Sequence, residues 1–265
     1  MLEIKGLYKV FNPGTKNDRV ALNNINLSLR PGEFVTIIGS NGAGKSTLLN
    51  AIAGTFPVDM GIIKIDGRDV TRLPEYARAA LVGRVFQDPL QGTAASMTIE
   101  ENLAMAFKRG VRRGLGRGVT AIQRKSFKSY LEVLGLGLES RLGDPVRLLS
   151  GGERQALTLL MATVAKPKLL LLDEHTASLD PRTAEQILAL TDRIVRHYNL
   201  TALMVTHNLR YSLAMGTRTI MMHEGEIILD VANPARARMS VEDLLDQFAR
   251  VRGERLADDR ILLEL

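Results

Sequence analysis

Glu33-Phe34-Val35-Thr36-Ile37-Ile38-Gly39-Ser40-Asn41-Gly42-Ala43-Gly44-Lys45-Ser46-Thr47 is the stretch that decides the fold. The apolar run after Pro31-Gly32 reads as a buried strand, and Gly39 ends it. From about Lys45 to Ala53 the pattern becomes helical. Between strand and helix, Gly39 to Ser46 fits G-x-x-x-x-G-K-[ST] without a mismatch, in the context that motif requires. Glycines let the backbone wrap phosphates closely, and a helix N-terminus presents free N–H groups to anionic oxygens. Lys45 can then reach the β and γ phosphates, and Ser46 can ligate magnesium. The binding set is Gly39, Ser40, Asn41, Gly42, Ala43, Gly44, Lys45, Ser46 and Thr47, and the ligand is a nucleoside triphosphate.

Working outward, Leu2 to Leu7 and Ala21 to Leu29 alternate as strands do, with Asn12-Pro13-Gly14-Thr15 as a loop, and imply an antiparallel edge sheet. From about Met97 to Val164 the pattern is helical. Thr98-Ile99-Glu100-Glu101 marks a helix start, Phe127 to Leu134 forms an amphipathic stretch, and a last helix is capped by Ser150 with Glu153 three residues on. Leu169 to Leu172, Thr201 to Val205 and Thr219 to Met222 are short apolar runs of central-strand type, with a helix from about Arg182 to His197. Alternating strands and helices imply a parallel sheet. Glu224-Gly225 suggests a closing hairpin, and Val241, Leu244, Leu245 and Phe248 lie on one face of a terminal helix.

Composition narrows the partners. With 45% hydrophobic and 24% charged residues, and no apolar run of membrane-spanning length, the chain has the balance of a soluble globular protein. Its first residues lack the features of a signal peptide, which predicts a cytoplasmic location. No cysteine is available for disulfides or thiolate metal sites, and His175, His197, His207 and His223 lack paired zinc-ligand spacing. The net charge of +6 is concentrated between Glu101 and Glu132, where Lys108, Arg109, Arg112, Arg113, Arg117, Arg124, Lys125 and Lys128 have no acidic neighbour in sequence. Glycines break that stretch and Phe127 is the one aromatic among its basic residues, too few for a base-stacking platform, so a solvated face or loop is expected, with a membrane-facing basic loop as the alternative, and no nucleic acid partner.

Leu169 to Glu174 ends in two carboxylates at the C-terminal end of a central strand, where open α/β sheets place their ligands. Asp173 suits magnesium. Glu174 suits the base that deprotonates a water attacking the γ-phosphate, a role worth about 10² to 10⁴ in rate.

With these elements in order, the chain from Leu2 to about Leu229 resembles the ATP-binding subunits of ABC transporters. The resemblance implies a P-loop NTPase core with a mostly parallel central sheet, an N-terminal antiparallel β subdomain and an inserted α-helical subdomain at about 92–164. The ATP-binding domain would span 1–240 and a helical tail 241–265. It also implies ATP and Mg2+ as cofactors. Gln87 in Val85-Phe86-Gln87-Asp88-Pro89 matches the family's Q-loop and would touch magnesium or the attacking water. Leu149-Ser150-Gly151-Gly152-Glu153 matches the family signature, so that Ser150, Gly151 and Gly152 would bind the γ-phosphate of ATP held by a second copy of the chain. A cap explains Ser150 and Glu153, but not two glycines that each cost a helix roughly 1 kcal/mol. Ser178-Leu179-Asp180 matches the D-loop that crosses the dimer interface, and His207 the switch histidine that bonds the γ-phosphate. Phe11 fits the aromatic that stacks on adenine, with Tyr8 as the competing choice. His175 departs from the proline common after the catalytic glutamate.

Catalysis would therefore rest on Glu174, His207, Gln87 and Lys45, and metal binding on Ser46, Gln87 and Asp173. The implied assembly is a head-to-tail dimer with two ATP at the interface, working with integral membrane permease subunits at the cytoplasmic face of the inner (plasma) membrane. A lone cassette resembles a bacterial importer served by an extracytoplasmic substrate-binding protein. The Leu90-Gln91-Gly92-Thr93 region and Asp258-Asp259-Arg260 resemble a group linked with aromatic amino acid-like substrates. The alternatives are an exporter or lipid-extraction subunit, or a soluble ABC ATPase of the iron–sulfur assembly type.

Overall fold

A computed structural model describes residues 1–111, 114 and 118–252, with backbone only for 251 and 252. Arg112, Arg113 and Arg117 of the basic stretch, and Asp258-Asp259-Arg260 of the tail, lie outside the described residues. The chain forms two compact units, one from Met1–Arg78 with Asn199–Leu265 and one from Ala79–Tyr198.

The first unit opens with β1 (Leu2–Phe11) and β2 (Arg19–Leu29), followed by β3 (Phe34–Ile38), α1 (Lys45–Ala53), β4 (Met60–Ile65), β5 (Arg68–Asp69) and α2 (Glu75–Arg78). β1 pairs antiparallel with both β2 and β4, and β4 with β5. Alternation buries Leu2 and Ile4 of β1 and Ile25, Leu27 and Leu29 of β2, and a register shift in the ladder lets Leu22 be buried as well. Every residue of β3 is buried, as its unbroken apolar run requires of a central strand.

Arg78 ends α2 and is 2% exposed. Its guanidinium donates to the carbonyls of Ala51 (2.8 Å) and Ile52 (2.9 Å), which the C-terminus of α1 leaves open, and to those of Leu73 (2.8 Å) and Thr71 (3.0 Å) in the segment before α2. Gly54 caps α1 at φ 84°, and a Cβ there would lie 2.6 Å from the Arg78 Nε. Arg78→Met strands these carbonyls in the interior and is expected to cost about 2–4 kcal/mol. A fall in melting temperature of roughly 5–10 °C checks this by differential scanning calorimetry, and an unchanged midpoint would show that water replaces the guanidinium.

The second unit contains β6 (Val82–Val85), α3 (Ile99–Phe107), α4 (Ala121–Glu132), α5 (Gly151–Thr163), β7 (Leu169–Asp173) and α6 (Pro181–His197). β6 and β7 pair in parallel, Val85 opposite Leu172, so both strands end at the same edge. α3 and α5 carry capping boxes at Thr98/Glu101 and Ser150/Glu153. α4 begins earlier than Phe127, because Thr120 and Gln123 form a third capping box. On its exposed face Arg124 makes a two-pronged ion pair with Glu100 of α3, at 2.6 and 2.7 Å.

The chain re-enters the first unit with β8 (Thr201–Val205), α7 (Leu209–Ala214), β9 (Arg218–His223), β10 (Glu226–Ala232) and α8 (Val241–Arg252). β3 lies between β8 and β9, parallel to both, and β10 closes antiparallel to β9 through the Glu224-Gly225 turn. Leu244 and Phe248 of α8 pack with Ile38, Leu209 and Met221 of the same unit. Among the described residues no helix is long and apolar enough to cross a membrane.

Candidate functional site

In the first unit, Gly39 to Gly44 joins β3 to α1 as a loop held too tightly at its glycines for a Cβ. A Cβ on Gly39 (φ 147°) would sit 2.1 Å from the Met222 carbonyl oxygen of β9, and one on Gly44 (φ 97°) would sit 2.4 Å from that of Ala21 in β2. The Gly225 N–H donates to Ala43 O at 3.0 Å, so the β9–β10 turn also holds the loop. Lys45 is buried, and its ammonium donates to the carbonyls of Gly39 (2.6 Å) and Ser40 (3.0 Å). The result is a concave backbone with a cation fixed at its centre and the α1 N-terminus behind it, which fits a triphosphate.

His207 follows β8, and the β3 and β8 ends are in register, with Ile37 opposite Val205 and the Thr206 N–H on Ile37 O at 3.1 Å. Asn208 caps α7 by accepting from Tyr211 N, and its own N–H donates to Thr206 Oγ1. His207 is thereby fixed between two side-chain turns, at the same sheet edge as the glycine loop. Phe11, the last residue of β1, meets Phe56 edge to face at 5.3 Å. Lys9 Nζ lies 5.4 Å from the Phe11 ring and 5.5 Å from the Phe56 ring, and pairs with Asp59 at 3.0 Å.

In the second unit the parallel ends of β6 and β7 put Gln87 and Glu174 past one edge. Ser178 Oγ donates to Gln87 O at 3.3 Å, so the segments carrying Gln87 and Asp180 touch. Asp173 accepts from Arg84 at 3.1 Å, both side chains largely shielded, while Arg84 lies over the Phe86 ring at 4.5 Å. Glu174 has φ 44°, a left-handed conformation that turns the chain sharply out of β7. Ala177 N donates back to Glu174 O at 2.9 Å.

His175 is fully buried, with Nε2 3.1 Å from Thr191 Oγ1 on α6. The Thr191 hydroxyl donates to Ile187 O at 2.7 Å, so its oxygen accepts from Nε2–H and fixes that tautomer. Burial pushes the imidazole pKa down to about 4 and keeps it neutral. The histidine in place of proline therefore anchors the loop after Glu174 to α6.

The α5 N-terminus is the second place where backbone N–H groups converge. Ser150 Oγ accepts from Glu153 N, and Glu153 accepts from Ser150 N. Burial raises the Glu153 carboxyl, but the Ser150 hydrogen bonds and the Arg141 guanidinium outweigh it and hold the pKa below its ordinary value. Gly151 and Gly152 occupy the first two helical positions, not the interior, so their helix penalty is smaller than the sequence suggests. A Cβ on Gly152 would lie 2.5 Å from Thr183 Cγ2, which gives that glycine a packing reason. A Cβ on Gly151 would meet only Leu179 Cδ2, at an ordinary 3.5 Å. Asp180 caps α6 through Thr183 N at 3.1 Å, and this bonding holds its carboxyl below its ordinary pKa. Ser150, Gly151, Gly152, Asp180, Thr183 and Arg193 line a groove of about 780 Å³.

Among the described residues no three His, Cys, Asp or Glu side chains cluster as a metal cage. Magnesium ordinarily takes one or two protein oxygens and completes its shell from water and phosphate, so a nucleotide-borne ion needs no such cage. Sequence reasoning missed Phe56 and Lys9 beside Phe11 and Arg19 beside Gly42 in the first unit, and Arg84 beside Asp173 in the second, each of which is placed only by packing.

The family model described as ABC transporter matches residues 22–177. The tyrosine transport ATP-binding protein of Clostridioides difficile (strain R20291) is 46% identical over 248 residues, covering 94% of this chain and 98% of that protein. The energy-coupling factor transporter ATP-binding protein EcfA2 of Clostridium perfringens (strain 13 / Type A) is 34% identical over 233 residues, covering 86% and 79%. The dimeric post-hydrolysis state of the ATP-binding cassette MJ0796 bound to ADP and Pi aligns with a TM-score of 0.74 at 29% identity, covering 88% of this chain and 98% of the cassette. With its P-loop NTPase fold, this chain belongs to the ABC transporter family: it is an ATP-hydrolysing, Mg2+-dependent subunit that energises transmembrane transport, acting as a dimer with membrane permease partners.

Proposed function

We propose that this chain powers an importer of aromatic amino acids, docked peripherally on the cytoplasmic face of the membrane and served by an extracytoplasmic substrate-binding protein. The observation that carries the substrate class is the near full-length similarity to a protein named for tyrosine transport. The cradle of Gly39 to Thr47 binds the phosphates, Lys45 neutralises the β and γ oxygens, and Phe11 stacks on adenine. Ser46, Asp173 and Gln87 are the residues that would each offer an oxygen to Mg2+, whose chemistry when bound is charge neutralisation of the phosphate oxygens. Glu174 accepts a proton from the water whose oxygen bonds to the γ-phosphorus while the bond to ADP breaks. His207 donates a hydrogen bond to the γ-phosphate. Ser150, Gly151 and Gly152 close over the ATP of the other copy, and Asp180 lies at that interface.

The test is reconstitution with a candidate permease and substrate-binding protein from the same source. Tyrosine-loaded binding protein should stimulate proteoliposome ATP hydrolysis several-fold and drive tyrosine inward. Stimulation by an unrelated solute but not by tyrosine would overturn the substrate class. Recovery of the chain only in a complex without an integral membrane subunit would overturn the importer.

A further inference from the structure

Arg19 opens β2 and stands opposite Phe11 in the β1–β2 ladder. Its Nη2 donates to Gly42 O, in the middle of the glycine loop, at 2.8 Å. Two residues on, where β2 bulges, the Ala21 carbonyl oxygen lies 2.4 Å from where a Cβ on Gly44 would sit. The beginning of β2 thus runs alongside the glycine loop, and Arg19 is the point where that strand, the aromatic Phe11 and the loop come together. A guanidinium has five donors, and the Gly42 carbonyl takes one. Among the described residues Arg19 forms no ion pair, because Asp18, its acidic neighbour, turns back to accept from Gly14 N at 3.1 Å.

We propose that Arg19 is a nucleotide-binding residue that contacts the α-phosphate of ADP and ATP. This rests on the proposed roles of Phe11 and the glycine loop. A nucleotide with its base on Phe11 and its terminal phosphates in the loop must lay its first phosphate between them, beside this guanidinium. The bond to Gly42 O orients the side chain beforehand, so less rotamer entropy is lost when phosphate arrives. Contact at the α-phosphate has a consequence that contact at the γ-phosphate lacks: ADP and ATP depend on Arg19 equally.

The experiment measures MgADP and MgATP affinity by titration calorimetry on the full chain, in the native protein and in Arg19→Ala, Arg19→Gln and Arg19→Lys. Arg19→Ala and Arg19→Gln should weaken both nucleotides by about five- to tenfold, since a charge-assisted hydrogen bond is lost at an exposed site. Arg19→Lys should stay within about threefold of native, because it keeps the charge. Raising the salt concentration should narrow the gap between native and Arg19→Gln. Native affinity in Arg19→Gln would assign the arginine to loop shape alone and overturn the proposal, as would a loss confined to MgATP. Failure of the native chain itself to bind MgADP would instead overturn the reading of the glycine loop, and this proposal with it.

Discussion

Glu174→Gln is expected to slow phosphate release by about 10² to 10⁴, the span a positioned general base contributes. The substitution exchanges one oxygen for an amide nitrogen. It leaves in place the left-handed turn at φ 44°, the Ala177 to Glu174 backbone bond and the His175–Thr191 anchor that shape the loop after β7. ATP affinity should be unchanged, because the phosphate contacts proposed for the glycine loop involve neither carboxylate oxygen. A chain that binds ATP and cannot hydrolyse it remains in the nucleotide-bound dimer, so size-exclusion chromatography in MgATP should show a dimer peak that the native protein loses as it turns over. Hydrolysis at the native rate would remove Glu174 from the chemistry, and a loss of ATP binding would mean that the loop had moved.

Elements set by local chemistry were legible in the chain. α1 runs from Lys45 to Ala53 as its glycine loop and apolar spacing imply, and the Thr98, Ser150 and Glu224-Gly225 signals each mark an observed boundary or turn. The start of α4 was equally local and was overlooked, since Thr120 and Gln123 carry the same spacing as the other capping boxes. β4 was not legible. Met60 to Ile65 contains Gly61 and Lys64, and it becomes a strand because β1 pairs with it across more than fifty residues of chain. The same distinction governs the site. Lys45 and Glu174 are found by motif, because phosphate chemistry demands those residue types at those spacings. Phe56 and Arg19 carry no motif, and they matter only after β1, β2 and the end of α1 have packed. Buried Arg78 is the extreme case, being an ordinary surface residue by composition and a four-carbonyl cap by position.

Gly151→Asp separates the two accounts of the α5 N-terminus, because only one of them predicts a loss of ATP-driven dimerisation. If the segment were only a helix cap, an acid in the first turn would be neutral or stabilising by a few tenths to about 1 kcal/mol, since it complements the helix dipole. The site has room for it, with Leu179 Cδ2 at 3.5 Å as the nearest atom to a new Cβ, whereas Gly152 packs against Thr183 and would confound the test. If the N–H groups of this turn receive the γ-phosphate of the other copy, the carboxylate meets an anion at close range. Two like charges about 4 Å apart near a protein surface repel by roughly 4 kcal/mol. Monomer melting temperature should therefore match or slightly exceed that of the native chain and MgATP affinity should stay native, while ATP-driven dimerisation and steady-state hydrolysis fall by at least about 100-fold. Analytical ultracentrifugation of Glu174→Gln with and without Gly151→Asp isolates the association step from turnover. Persistence of the ATP-bound dimer in the double variant would reduce Ser150, Gly151 and Gly152 to a cap, and parallel loss of nucleotide binding by the monomer would do the same.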